Sequence, residues 1–217
     1  GIVFQTQQAR EWFPRCIQKR SAIIFNQVGE QFYQDYPVSK KEGIVTVGRL
    51  TKQKNHALLI EAFSLIHHKV EDNLYIYGDG ALKSALEELI TEKKLQKRVF
   101  LMGTNDHIET EIASKKLFVL PSDYEGMPNC LMEAMAMGVA CISTNCSCGG
   151  PKELLGDIES IALCPINSAE KLADLMLVAL VDNNRLIELS NYGKNKAEDF
   201  RTEVIFKKWR SYIENGQ

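Results

Sequence analysis

The stretch GIVTVGRLTKQKNHALLIEAFSLIHHKVEDNLYIYGDG, residues 43–80, decides the fold. It opens on an apolar run, GIVTVG (43–48), and crosses a polar loop. NHALLIEAFSLIHHKV (55–70) follows, with apolar positions recurring near the helical period, and a second apolar run, NLYIYG (73–78), closes the unit. Strands that are apolar throughout and joined by a helical crossover are the mark of a parallel sheet covered on both faces. The pattern then repeats. RVFLMG (98–103), LFVLP (117–121), VACIST (139–144) and SIALCP (160–165) read as strands, while ALKSALEELITEKK (81–94), a weaker DHIETEIASKK (106–116) and NCLMEAMAMG (129–138) read as helices. The predicted fold is α/β, a doubly wound parallel sheet. The tail from Ser168 to Gln217 predicts two or three helices, the last with Val204, Ile205, Trp209 and Ile213 on one apolar face.

Upstream of residue 43 the pattern is different. GIVFQT enters a strand at once and without an initiator methionine, TQQAREWF reads as a helix capped by Thr6 and broken by Pro14, and SAIIF reads as another strand. This strand, helix, strand unit has nothing before it, as expected of a cut chain. The polar run from Ser39 to Glu42, introduced by Pro37, reads as a linker.

Composition narrows the function. A formal net charge of −2 and a pI near 6.2 argue against a general polyanion binder such as a nucleic-acid domain, so any anion site must be local. There is no apolar run of bilayer length and no opening signal sequence, which makes the cytoplasm the default compartment. The six cysteines lack C-x-x-C spacing, and most read as small buried hydrophobes. Cys146-Ser147-Cys148 reads as a plain loop ahead of a metal or redox site, and the Asn145 sequon as a coincidence.

In doubly wound sheets, ligands bind where crossover loops leave the carboxyl ends of the strands. After GIVTVG, Gly48 permits a close turn, Arg49 and Lys54 bring two cations, and Asn55 can cap the next helix; the arrangement would suit a diphosphate, though taken alone it reads first as a solvated basic turn. Gly78-Asp79-Gly80 is first of all a tight turn, with Asp79 as a candidate ligand contact. The most informative stretch is PSDYEGMPNCLMEAMAMG (121–138). Pro128 and Asn129 are helix-starting residues, so Glu125 falls in the loop and Glu133 about one turn inside the helix, roughly 6 Å along its axis from Asn129. Such carboxylates cannot act as a close pair. They read as two grips on one long ligand, each able to accept hydrogen bonds from vicinal hydroxyls, with the backbone of Gly126, Met127, Pro128 and Asn129 between them. That ligand is a nucleotide sugar. Each acid taken alone reads equally as an ordinary surface charge.

VGRLTKQKN, YGDG, VFLMG and PSDYEGMPNCLMEAMAMG, in this order, resemble the donor-binding domain of the family 4 retaining glycosyltransferases of GT-B architecture. The Glu125-x7-Glu133 spacing matches that family's motif, and STNCSCGGPKELL (143–155) resembles the Gly-rich segment that follows it. The likeness runs from about Gly43 to the end. It implies a Rossmann-like half of a GT-B enzyme with C-terminal helices. Arg49 and Lys54 would neutralise a diphosphate, Glu133 would hold the ribose, and Glu125 would position the transferred hexose without being assigned as nucleophile. Backbone groups of Gly126 to Asn129 would complete the site, and Gly103 and Thr104 would lie near the base. No metal or other cofactor is implied. The donor is expected to be a UDP-sugar by family frequency, while Met127, where relatives often carry an aromatic residue, leaves the sugar open.

On that resemblance residues 1–38 end a truncated acceptor domain, 39–200 bind the donor, and 201–217 form a crossover helix. A glycan or lipid-linked acceptor would be bound through the missing half, which could touch the membrane peripherally, and the fragment alone would be inactive. A nicotinamide-dependent dehydrogenase should show G-x-G-x-x-G after the first strand, which VGRLTKQKN lacks. A nucleotide-sugar epimerase of the same architecture and a binding module without activity remain as alternatives.

Overall fold

The computed structural model describes residues 1–38 and 40–214. Six parallel strands form the central sheet: β3 (Ile44–Val47), β4 (Leu74–Tyr77), β5 (Val99–Gly103), β6 (Leu117–Leu120), β7 (Ala140–Thr144) and β8 (Leu163–Cys164), in the order β5-β4-β3-β6-β7-β8. The order reverses between β3 and β6, where successive crossovers run to opposite sides and leave a crevice at the strands' carboxyl ends. Ile44, Leu74, Leu117, Phe118 and Ile142 are fully buried, which is why these strands carry no polar face.

The crossovers are α3 (His56–Ile66), α4 (Lys83–Glu92), α5 (Ile108–Ala113), α6 (Asn129–Ala136), and the short α7 (Gly150–Leu155) and α8 (Glu159–Ala162). After β8 come α9 (Ala169–Val181), α10 (Asn183–Ala197) and α11 (Thr202–Glu214). α9 packs on α3, while α10 packs on α6 and β7, so both belong to the layers covering the sheet. The fold is the expected doubly wound α/β sheet with C-terminal helices.

Three expectations need correction. The run SIALCP is not one strand: Ser160–Ala162 closes α8, and only Leu163 and Cys164 pair, opposite Ser143 and Thr144. The α11 face is not uniform, since Ile205 is buried while Ile213 is 71% exposed. Among the cysteines, Cys141, Cys146 and Cys164 are buried, Cys130 is partly buried, and Cys16 and Cys148 are exposed. The last three residues of α11's predicted segment and Ser39 of the linker lie outside the described residues.

The first residues form a separate parallel pair, β1 (Ile2–Phe4) with β2 (Ser21–Ile23), joined through α1 (Gln7–Glu11) and α2 (Arg15–Gln18). Thr6 caps α1 as expected. The pair is fastened to the main body by Thr6 Oγ1 donating to the Cys148 carbonyl at 2.6 Å, the Gln7 amide to Glu153 Oε1 at 2.5 Å, and Tyr212 Oη to the Ile2 carbonyl at 3.0 Å. Val28 and Phe32, a little further on, enter the same core as the large sheet.

Candidate functional site

Four loops meet in the crevice, and close backbone approach is what brings them together. A side chain on Gly78, at φ +136°, would place its Cβ 2.0 Å from the Gly48 carbonyl oxygen. Only glycine permits that contact, through which the ends of β3 and β4 touch. The Gly78 amide in turn donates to the Gly103 carbonyl at 2.7 Å, and the Leu50 amide to the Asp79 carbonyl at 2.9 Å. Asp79 itself is exposed and closes its own turn through the Gly80 amide at 2.8 Å. Gly103 and the exposed Thr104 sit at the end of β5, beside that turn.

Across the switch point, the loop after β3 is zipped to the loop after β6. The Asp123 amide donates to the Gln53 carbonyl at 2.9 Å, Asn55 Nδ2 to Asp123 Oδ1 at 2.7 Å, and Gln53 Nε2 to the Tyr124 carbonyl at 3.0 Å. Asn55 also caps α3, its side chain accepting from the Leu58 amide at 3.2 Å. Beyond Glu125, Gly150 packs so tightly that a Cβ there would lie 1.8 Å from the Gly126 carbonyl oxygen. Pro128 and Asn129 start α6, which puts Glu133 one turn inside it.

At the centre, Lys54 Nζ lies 2.5 Å from Glu125 Oε1, with both side chains largely buried. Ser122 Oγ donates to the same oxygen at 2.8 Å, and Thr144 Oγ1 donates to the Ser122 carbonyl at 2.5 Å. Gly48 makes room for this, because a Cβ there would meet Lys54 Cδ at 3.1 Å. Burial pulls the Lys54 pKa down, but the hydrogen bond and charge of Glu125 help to outweigh it, with Arg49 opposing, so it stands above the ordinary lysine value. Burial also pushes the Cys130 thiol up to about 12. It is therefore neutral near pH 7, which leaves Glu125 as the partner that holds the ammonium.

Two further expected residues have no such partner. Arg49 is exposed near Lys54, with no hydrogen bond or salt bridge among the described residues. Glu133 is partly buried, also without a hydrogen-bonded or ionic partner there, and desolvation raises its pKa above the usual glutamate value. An exposed cation on the loop after β3 and a desolvated carboxylate on α6, unpaired among the described residues, suit a ligand with an anionic part and a hydroxyl-bearing part. Met127 and Pro128 are buried beneath it, while Gly126 and Asn129 are exposed.

Sequence reasoning placed Lys54 and Glu125 separately and missed their pairing, along with Ser122 and Thr144. It also passed over His56, which begins α3, is 2% exposed, and has both ring nitrogens unpartnered among the described residues. Desolvation, aided by Lys54, lowers its pKa to about 4. The neutral ring is the folded form. Since the unfolded chain takes up a proton near pH 6.5, stability present above that pH is lost as pH falls toward 4, by about 3 kcal/mol in all. His56→Leu is expected to flatten this part of the pH dependence in urea unfolding between pH 7 and pH 4. An unchanged slope would remove His56 as its cause.

The fold defines the class: one doubly wound half of a GT-B architecture. Residues 30–196 match the family described as Glycosyl transferases group 1, and the chain belongs to that family. An uncharacterized glycosyltransferase of Methanocaldococcus jannaschii is 32% identical over 200 residues, covering 78% of this chain and 49% of that protein. The Campylobacter jejuni N-acetylgalactosamine-N,N'-diacetylbacillosaminyl-diphospho-undecaprenol 4-alpha-N-acetylgalactosaminyltransferase is 32% identical over 199 residues, covering 92% and 53%. Among solved structures, S. aureus TarM in complex with Fondaparinux, alpha-GlcNAc-glycerol and UDP superposes with a TM-score of 0.83 at 25% identity, covering 98% of this chain and 43% of that one. The chain thus spans about half the length of these relatives. Among the described residues no helix is long and apolar enough to cross a membrane, and no group of three or more His, Cys, Asp or Glu is placed to hold a metal ion.

Proposed function

We propose that this chain is the donor-binding part of a retaining hexosyltransferase that takes a nucleoside diphosphate sugar, a UDP-sugar first of all. The observation that carries this reading is the pairing state of the crevice: Lys54 and Glu125 hold each other, while Arg49 and Glu133 have no hydrogen-bonded or ionic partner among the described residues. Arg49 and Lys54 bind the diphosphate, aided by the N-terminus of α6, and together offset most of the leaving group's charge. Glu133 accepts from the ribose hydroxyls, and the turn at Gly103 and Thr104 borders the base, with Asp79 beside it. Glu125 positions the hexose together with the backbone of Gly126 to Asn129. A carboxylate oxygen already shared by an ammonium and a hydroxyl is a poor nucleophile, which supports a positioning role for Glu125.

UDP is bound by the TarM structure, and the C. jejuni relative's name describes transfer onto a diphospho-undecaprenol-linked sugar. By extension, the acceptor here is a glycan or lipid-linked glycan, met at the cytoplasmic side of a membrane. Residues 1–38 then belong to the edge of an acceptor half, 39–200 to the donor half, and 201–217 to a crossover helix. The exposed Ile2, Trp12 and Phe13 around the small β1–β2 pair fit an edge that further chain would cover. Calorimetric titration of the 217-residue chain with UDP, GDP and ADP tests the donor reading. UDP is expected to bind at least tenfold more tightly than the purine nucleotides; equal affinities would exclude a uracil-selective site, and no binding to any would exclude donor binding by this chain.

A further inference from the structure

At the end of the sheet opposite the crevice, a cavity of about 280 Å³ lies by the amino ends of β3, β6 and β7. Lys41 lines it from the segment before β3, Lys116 from the residue before β6, and Asn183, Leu186, Ile187 and Asn191 from the amino-terminal part of α10. The two lysines differ in what they already hold. Lys116 Nζ is paired with Asp72 Oδ2 at 3.0 Å, and the other oxygen of that carboxylate accepts from the Gly43 amide at 2.7 Å, so this cation serves the fold. Lys41 Nζ donates to the Gly138 carbonyl at 3.2 Å, an acceptor shared with Ser190 Oγ at 2.6 Å, and has no ionic partner among the described residues. Lys194 stands beside the same glycine, its Cδ 3.6 Å from where a Cβ on Gly138 would be, and is likewise not ion-paired there. Gly138 follows the carboxyl end of α6, whose dipole offers about half a negative charge. Against two ammonium groups, that leaves most of the positive charge uncompensated. Desolvation first, and then the Lys194 ammonium, lower the Lys41 pKa, as expected where cations adjoin without a carboxylate.

Beside these cations the cavity is walled by Ala140, Leu186 and Ile187, and Ile187 is 48% exposed. Asn183 and Asn191 add neutral donors. We infer that the cavity binds a small organic anion, a phosphate monoester on an apolar body, with Lys41 holding the phosphate, Lys194 adding to its field, and Ile187 and Leu186 packing on the body. Lysine meets phosphate as a point charge, which suits donors spread over several elements better than the planar fork that matches a carboxylate. Inorganic phosphate alone would leave the apolar wall in water, and an apolar body without the anion would leave the ammonium groups uncompensated. No residue of the donor crevice lines this cavity, so the site stands or falls apart from the donor reading.

The test titrates the ¹⁵N-labelled 217-residue chain with phenyl phosphate, inorganic phosphate and phenol, following the amide chemical shifts. Phenyl phosphate is expected to bind saturably and at least tenfold more tightly than either of the others, with its largest shifts at Gly138, Ser190 and Asn191. Lys41→Gln removes the charge while keeping a hydrogen-bond donor, and is expected to weaken phenyl phosphate at least tenfold with melting temperature and UDP affinity unchanged. Ile187→Glu, which brings a carboxylate to the exposed part of the apolar wall, is expected to do the same. Shifts centred on Arg49, Lys54 and Gly126 would place the anion in the donor crevice and overturn the inference. Equal affinity for inorganic phosphate, no saturable binding, or an unchanged affinity in either variant would overturn it as well. UDP is titrated separately, and its failure to bind would refute the donor reading and not this site.

Discussion

Lys54→Ala is expected to lose about 3–5 kcal/mol of stability and nearly all measurable affinity for a nucleoside diphosphate. The first loss follows from burial. Glu125 would keep the Ser122 hydroxyl but forfeit the ammonium 2.5 Å away, leaving a carboxylate that is 6% exposed without a countercharge. The second follows from removing the charged hydrogen-bond donor proposed for the phosphate, about 1.5–3 kcal/mol on its own, compounded by repulsion from the uncompensated Glu125. The two effects separate in a double variant. Lys54→Met with Glu125→Gln removes both charges at similar volume and retains an acceptor for Ser122, so urea unfolding should recover most of the stability while UDP binding stays lost. Arg49→Ala gives the complementary result: an exposed residue without partners among the described residues should leave stability within about 0.5 kcal/mol and still weaken UDP by about 1.5–3 kcal/mol. If Lys54→Ala binds UDP as the parent does, the diphosphate assignment is wrong. If the double variant is no more stable than the single one, the pair does not hold the loop as its geometry implies.

That pair also shows where sequence reading runs out. The sheet was legible because the long strands are apolar at most positions, and each crossover helix keeps its apolar positions near the 3.6 period. SIALCP failed because apolarity over six residues does not distinguish a strand from one helical turn followed by two paired residues. Arg49, Lys54, Glu125 and Glu133 could be picked out because each follows a strand end or starts a helix. Their partners could not, since whether Lys54 faces solvent, phosphate or Glu125 depends on β3 and β6 being neighbours. The chain order alone separates these strands by two others. The hydrogen bonds from Gln5 to Asn26 and from Asn26 to Asn129 are further out of reach, because these residues follow β1, follow β2 and start α6, and are unremarkable one by one.

The pairing differences predict a sharper contrast between the two acids. Glu133→Gln should weaken UDP and a UDP-sugar alike, by about 1.5–3 kcal/mol, because the ligand proposed for it is the ribose common to both. Glu125→Gln should leave UDP nearly unchanged and weaken only the UDP-sugar, measured well below the melting temperature because this variant also strands Lys54. Equal losses for both ligands in both variants would contradict two separate grips. Stability should move in the opposite sense for Glu133. Desolvation raises its pKa, so the folded protein takes up a proton more readily than the unfolded chain, and this group's unfavourable contribution at neutral pH is relieved as pH falls through the raised value. Glu133→Gln removes that penalty and should melt at or above the parent temperature while binding more weakly. The parent's UDP affinity should fall over the same pH interval, as the carboxylate that accepts from ribose is protonated, and the variant's should not. A desolvated carboxylate kept without a partner costs the fold stability that a bound ribose would return, and no such return exists for an ordinary surface glutamate. A variant that melts lower and keeps the parent's pH-dependent affinity would show that Glu133 serves the fold and not the ligand.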